Sequence, residues 1–255
     1  MKTLAIVLGL ISLCVIGVFG YLLLTGPKQP LAKVPSPNAY QTLLQASAKQ
    51  LRRLPAGYHD SQDLAELTVI LDDNEAAFSL IDQAAEQSAQ VPPEDLIALP
   101  KLIEDAAKFK GVLRLVHLRA RVRQLENATE SAVRDYRQLF RHAGQTAEGG
   151  LMLNHLGAIA FQSLAIREIE PLVPQLAADQ RAELAQFVDQ AIVELPSSEE
   201  ITQRELDYVI RREGRLRGNV LAWTMSPAGS NGMLDQSIDR LRKQLEALRQ
   251  KLEDR

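Results

Sequence analysis

The sequence predicts an all-α protein, in which an N-terminal transmembrane helix precedes an α-helical bundle or solenoid of antiparallel helix pairs and a C-terminal heptad helix. Residues 4–24 form an apolar run without a charged residue. Beyond it, apolar residues recur at spacings of three and four, which is the period of an amphipathic helix. Near the C-terminus these steps alternate regularly, which is a heptad pattern. The expected divisions are a transmembrane anchor at 1–25, a proline-rich stalk at 26–38, an α-helical domain at 39–225, a flexible loop at 226–232 and a coiled-coil-like helix at 233–255.

Composition narrows the classes of function. The chain has 255 residues and a formal net charge of -3, which argues against bulk electrostatic binding to nucleic acid. Its single cysteine, Cys14, lies in the apolar run, so one chain can form neither a disulfide framework nor a Cys-x-x-Cys metal site. We therefore expect no cofactor and no metal.

The apolar run is long enough to cross a membrane, because 21 helical residues would span about 31 Å. Two alternatives stay open: cleavage of a signal peptide after residues 18–20, and lipidation at Cys14, which Leu13 disfavours. A short N-terminal tail predicts that the domain lies outside the cytoplasm, although the flanking lysines are nearly balanced. The residues expected to form the anchor are Leu4, Ile6, Leu10, Leu13, Val15, Phe19, Tyr21 and Leu24.

Four prolines between residues 26 and 37 predict an extended, semi-stiff stalk that holds the domain off the bilayer. In the domain, the first apolar stripe runs as far as Leu51. Asn74 is expected to cap the third helix and Asn127 the helix over 129–143. Residues 201–225 read as a single helix.

Residues 151–166 contain no charged residue, but they are too few for a membrane span and include polar side chains. This segment is predicted to be a buried central helix.

Residues 113–143 resemble a tetratricopeptide unit, with Ala120, Ala132, Tyr136 and Leu139 at that motif's packing positions. Gly144 stands where the motif has its terminal proline, and no 34-residue period is visible elsewhere. The stretches NEAAFSLIDQAAEQ, ALPKLIEDAAKFKGVLRLVHLRARV and GLMLNHLGAIAFQSLAIREIE are similar to a family of uncharacterised bacterial proteins with an N-terminal anchor and a helical-repeat-like domain. That resemblance implies a fold and a membrane location, and it brings no activity.

The C-terminal heptad seam has two possible roles. A narrow stripe after a loose loop favours a coiled coil with a second copy or a protein partner. The alternative is a helix that packs its stripe on its own domain. The seam residues are Leu234, Ile238, Leu241, Leu245, Leu248 and Leu252.

The sequence contains no recognisable catalytic motif. Its four histidines fit neither His-Glu-x-x-His nor Glu-x-x-His, and neither a phosphate-binding glycine loop nor a nucleophile elbow is present. The main hypothesis is therefore a non-enzymatic, single-pass scaffold for protein interactions in the bacterial inner membrane. The alternative is a helical enzyme or small-ligand binder with a site near Asn154 and His155.

Arginines form two sequence groups, one in the hairpin over 113–143 and one in residues 204–217. If each group shares a face, it could bind an acidic protein or lipid head groups. The favoured interpretation is a solvated face with carboxylate partners such as Asp135 and Glu213.

Overall fold

The structure is a computed structural model, and it describes residues 30–52, 57–224 and 230–253 together with 17, 20, 24–28, 54 and 55. Every regular element in these residues is a helix, which confirms the all-α prediction. Of the expected anchor residues, only Leu24 lies among the described residues. None of the helices in this described part combines the length and the apolarity that crossing a bilayer requires.

Eleven α-helices and one 3₁₀ helix make up the described part of the chain. In chain order they are α1 (Ala39–Ala48), α2 (Leu64–Asp72), α3 (Glu75–Ala85), α4 (Pro93–Ile97), α5 (Leu99–Leu125), α6 (Thr129–Gln145), α7 (Met152–Ile169), the 3₁₀ helix Glu170–Gln175, α8 (Ala178–Val193), α9 (Ser198–Glu213), α10 (Arg215–Thr224) and α11 (Ser230–Glu253).

The N-terminal helices pack around α5, which contacts α1 and α2. Helix α1 buries Tyr40 and Leu43 but ends at Ala48, and Leu51 is 81% exposed. The prediction that Leu51 belongs to the buried stripe is wrong. Asn74 explains why, because its Oδ1 accepts the N–H of Leu51 at 3.0 Å and draws the chain away from the helix axis.

Asn74 occupies the N-cap position of α3, as predicted, but its side chain makes no capping hydrogen bond there. Its Nδ2 donates to the carbonyl of Ile70 at 2.8 Å and to that of Arg52 at 3.2 Å. A fully buried amide that satisfies three backbone groups fixes the loop after α1 against the end of α2.

Helices α5, α6 and α7 pack in succession and form the centre of the core. Asn127 has φ 60°, and the N–H of Ala128 donates to the carbonyl of Arg123 at 2.9 Å. This is the C-terminal motif of α5, so the prediction that Asn127 caps α6 is wrong. The four residues that carry the tetratricopeptide resemblance are fully buried between neighbouring helices, and the resemblance itself stays a prediction.

The predicted segment 151–166 corresponds to the N-cap Leu151 and most of α7, which contacts α6, α11 and the 3₁₀ helix.

The heptad seam lies inside the domain. Helix α11 packs on α7 and α8, and all six residues of the seam are buried there. Arg249 adds an ion pair to Asp189 of α8 at 2.8 Å. The structure thus places the seam in the second of its two expected arrangements, against its own domain. Part of the predicted flexible loop is helical, since α11 begins at Ser230.

Residues 201–225 do not form one helix, contrary to the prediction. The chain breaks at Gly214, whose φ is 80°, and α10 folds back on α9. A β-carbon on Gly218 would lie 2.4 Å from the Cα of Ile210. The α9–α10 hairpin therefore depends on one glycine for its turn and on another for close approach.

The first residues of the predicted stalk contact this hairpin. The N–H of Lys28 donates to Oδ1 of Asp207 at 3.0 Å, and Nδ2 of Asn219 donates to the carbonyl of Thr25 at 2.9 Å. This part of the stalk lies against the domain instead of standing free of it.

Candidate binding groove on α6 and α8

A groove runs along α6, with α3 and α5 on one side and α8 on the other. We call it the α6–α8 groove. Its polar section has a volume of about 660 Å³. Its apolar section has a volume of about 440 Å³. Arg141 and Phe187 line both sections, so the two sections adjoin at these side chains.

Arg119 organises the wall of the polar section. Its two terminal nitrogens contact the carboxylate of Asp82 at 2.9 and 3.2 Å, and one of them donates to Gln138 at 2.6 Å. Its guanidinium also lies 4.8 Å from the ring centroid of Phe78. Both terminal nitrogens of this arginine are thus engaged, so it joins α3, α5 and α6 instead of offering a free cation.

Asp135 lies beneath Arg119 and is 4% exposed. Its Oδ1 is 3.4 Å from Nε of Arg119. Burial nevertheless raises the pKa of the Asp135 carboxyl, and the nearby arginines lower it only in part. A buried carboxylate of this kind makes Arg119 necessary for the folded state.

Three arginines of α6 lie on the face that lines the groove, because Arg134, Arg137 and Arg141 are three and four residues apart. Arg137 pairs with Glu183 of α8 at 3.5 Å, and its guanidinium lies 5.2 Å from the ring centroid of Phe187. Arg137 therefore connects α6 to α8 across the groove.

Arg141 donates to the carbonyl of Ala85 at 3.3 Å, and Gln145 donates to that of Ala84 at 3.0 Å. These bonds attach α6 to the carbonyl end of α3, where positive charge is favourable. Among the described residues, no carboxylate lies within ion-pair distance of Arg134 or Arg141. These two exposed cations are available to a ligand.

The polar section as a whole is electrically balanced, since five arginines and five carboxylates line it. A polyanion would meet repulsion as well as attraction, so the lining suits a ligand that carries separate charges. The carboxylates are Asp82, Glu86, Glu130, Asp135 and Glu183.

The apolar section begins at Phe187, whose ring meets that of Phe140 edge-on with centroids 5.4 Å apart. Ala158 and Ile159 of α7 form its floor, and His155 lies beside them. An exposed surface of this shape accepts an apolar side chain. Sequence reasoning missed Phe187, and the signal for it was its spacing from the buried Leu184 and Val188 in α8.

The two residues of the alternative site have different roles. Asn154 accepts the N–H of Leu151 at 3.1 Å and so stabilises the start of α7. Its side chain is therefore structural and does not line the groove. His155 does line the groove, and burial, followed by the charge of Arg204, lowers its pKa to about 4.

The imidazole of His155 is thus neutral at neutral pH, and its Nε2 has no hydrogen-bond partner. The same holds for Nε2 of His117 and of His142, neither of which lines the groove. The unpartnered nitrogen therefore does not single out His155 as a ligand-binding group. The described residues contain no cluster of three side chains that could hold a metal ion.

The other expected site residues lie elsewhere. The heptad seam is inside the domain, and the anchor residues other than Leu24 are outside the described part of the chain. Comparison of the chain with protein-family models, curated proteins and solved structures found no match.

Proposed function

We propose that the protein is a non-enzymatic, membrane-tethered helical scaffold that holds a segment of another protein in the α6–α8 groove. The observation that carries the proposal is that a charged section adjoins an apolar one at Arg141 and Phe187. A groove lined in this way selects a sequence with a defined order of charged and apolar residues.

In this proposal the tether is the charge-free run over residues 4–24. It crosses a bacterial inner membrane once, and the domain lies on the extracytoplasmic side. Leu24, the last residue of that run, is 82% exposed. An exposed leucine at the end of a long apolar segment is consistent with burial in lipid.

The proposed occupant is a peptide segment with an acidic residue next to a large apolar one. The acidic residue pairs with Arg141 or Arg134, which have no carboxylate partner among the described residues. The apolar residue then packs against Phe187 and Ile159 in the adjoining section. The heptad seam has no place in this proposal, because its own domain covers it.

A displayed peptide library, selected on the full chain in lipid nanodiscs, tests this proposal. We expect enriched peptides to carry Asp or Glu beside Leu, Phe or Trp. The charge reversals Arg134→Glu and Arg141→Glu should together weaken their binding by about 30-fold or more, since they replace an attraction of about 1 kcal/mol by a repulsion of similar size.

The matched control reverses two exposed arginines of α11, Arg240→Glu and Arg242→Glu, and should leave peptide binding unchanged. Peptides that bind both double variants as tightly as the wild type would refute the groove assignment. A photo-crosslinker at Gln190, in the apolar section, should capture the natural partner, whereas one at Gln236 on α11 should not.

The alternative is a small-ligand site at the same apolar section, near His155 and Asn154. It is favoured only by the presence of His155 in a concave, largely apolar lining. Native mass spectrometry of the purified chain separates the two ideas. A retained small molecule, lost in His155→Phe, would support this alternative, and a bare chain that binds selected peptides would support the scaffold.

A further inference from the structure

The structure attaches the start of the domain to the α9–α10 hairpin by two bonds. One joins the N–H of Lys28 to Asp207 of α9 at 3.0 Å, and the other joins Asn219 of α10 to the carbonyl of Thr25 at 2.9 Å. Asp207 is buried, so this attachment is part of the packed structure. Whatever position the apolar run takes, the hairpin lies next to its C-terminal end.

The turn of this hairpin, residues 211–217, is strongly basic. It contains four arginines, all exposed, and a single carboxylate, that of Glu213. Arg212 and Arg217 share that carboxylate at 2.8 and 3.3 Å. The turn therefore keeps an excess of positive charge, unlike the balanced α6–α8 groove.

The basic turn is also close to the membrane end of the chain. A β-carbon placed on Gly26 would lie 3.7 Å from Nε of Arg215. Gly26 is two residues beyond Leu24, which is at most about 7 Å of extended chain. With the 3.7 Å from Gly26 to Arg215 added, the guanidinium lies within about 11 Å of the end of the apolar run, which is comparable with the Debye length of about 8–10 Å at 0.1–0.15 M salt.

We propose that the α9–α10 turn binds the head groups of anionic phospholipids, an inference that rests on the membrane tether in the proposed function. Guanidinium groups donate two parallel hydrogen bonds to a phosphate, and a cluster of them next to a membrane anchor attracts anionic lipid. The two bonds to residues 25–28 hold the turn at the surface, so the domain is docked on the bilayer.

Docking through this turn leaves the α6–α8 groove open. Arg204, near the start of α9, donates to the carbonyl of Gly150 at 3.2 Å and lowers the pKa of His155 in the groove. Nine residues of helix, about 14 Å, separate Arg204 from Glu213 at the turn. The turn therefore lies about 14 Å along α9 from the arginine that contacts the loop before α7.

Hydrogen exchange of the full chain in nanodiscs tests this proposal. One set of discs is phosphatidylcholine, and the other contains three parts of phosphatidylglycerol to seven of phosphatidylcholine. We expect amides of residues 209–219 to exchange at least about fivefold more slowly in the anionic discs. The triple variant Arg211→Gln, Arg215→Gln, Arg217→Gln should remove that difference. A matched triple variant on α11 (Arg240→Gln, Arg242→Gln, Lys243→Gln) changes the net charge equally and should retain it.

Equal exchange of 209–219 in the two kinds of disc, with the chain inserted in both, would overturn the lipid contact and leave the tether intact. Protection by inorganic phosphate in phosphatidylcholine discs would overturn it in favour of a free-phosphate site. A chain that copurifies with neither kind of disc would overturn both the tether and the lipid contact.

Discussion

The α5–α6 hairpin and the α9–α10 hairpin are both rich in arginine, yet the fold uses the two sets differently. Around α5 and α6, carboxylates from α3, α6 and α8 surround the arginines, and the groove between them is balanced in charge. At the α9–α10 turn, four arginines accompany the one carboxylate of Glu213, which pairs with Arg212 and Arg217. One set holds helices together, and the other remains exposed beside the start of the stalk.

This difference arises from topology and not from local composition. Arg119 finds Asp82 because α3 packs beside α5, 37 residues apart along the chain. Arg215, the first residue of α10, faces Gly26 instead. An arginine cluster in a sequence thus acquires its role only when the helices that flank it are known.

The largest expected effect is that of Arg119→Ala, which leaves the buried Asp135 without its cation. We expect the free energy of unfolding to fall by about 3–5 kcal/mol, measured by urea denaturation. The double variant Arg119→Met, Asp135→Leu should recover most of this loss, because it also removes the buried charge. A loss below about 1 kcal/mol in the single variant would show that Arg119 is not the structural centre of this hairpin.

The next effect concerns the close approach within the other hairpin. Gly218→Ala places a β-carbon 2.4 Å from the Cα of Ile210, a backbone atom that cannot move aside alone. We expect a loss of about 1–3 kcal/mol and faster hydrogen exchange at Lys28. The matched control is Gly157→Ala in α7, where nothing lies within 4 Å of the added carbon. It should stabilise the chain by about 0.5–1 kcal/mol, and equal effects of the two variants would contradict the packing described.

The pH dependence should also separate the two hairpins. Burial lowers the pKa of His117, His142 and His155 to about 4, from an ordinary value of 6.5. The unfolded chain binds more protons between those values, so stability should fall as the pH drops from about 6.5 towards 4.

Two of these histidines belong to the α5–α6 hairpin, and the α9–α10 hairpin has none. The expected loss between pH 7 and pH 5 is of the order of 1 kcal/mol for each buried histidine. Hydrogen exchange should increase first in α5 and α6. A flat profile in the wild type would contradict the buried, neutral histidines.

Periodicity predicts the all-helical class and most helix cores, because apolar residues at spacings of three and four are typical of an amphipathic helix. The absence of charged residues predicts the central position of residues 151–166. Helix ends were less predictable. Asn74 and Asn127 are residue types that cap helices, but one satisfies a distant loop and the other adopts φ 60° to end a helix. Which backbone groups an asparagine satisfies depends on what tertiary packing brings near it.

The break at Gly214 was also hidden in the sequence, since an isolated glycine is tolerated inside many helices. The close packing of Gly218 against the backbone of Ile210, which is visible only in the structure, shows why the chain turns back there. The heptad seam was ambiguous for a related reason: a stripe of leucines fits a partner helix or the chain's own α7 and α8 equally well. The α6–α8 groove joins residues from five helices, so no local pattern could reveal it.

The smallest expected effect is that of the paired substitution Arg215→Gln, Arg217→Gln on stability in solution. Both side chains are exposed, so the free energy of unfolding should change by less than about 0.5 kcal/mol. The difference between this small loss and the loss of about 3–5 kcal/mol expected for Arg119→Ala is the most direct comparison of the two hairpins. A loss of several kcal/mol at the turn would mean that its arginines are structural after all.

The central claim is that the α9–α10 turn lies at the membrane and the α6–α8 groove lies away from it. A fluorophore on a single introduced cysteine tests this, in a Cys14→Ser background and in anionic discs whose lipids carry a head-group quencher. Strong quenching with Arg217→Cys and weak quenching with Arg134→Cys is the expected result. Equal quenching at the two positions, or stronger quenching at 134, would contradict the account.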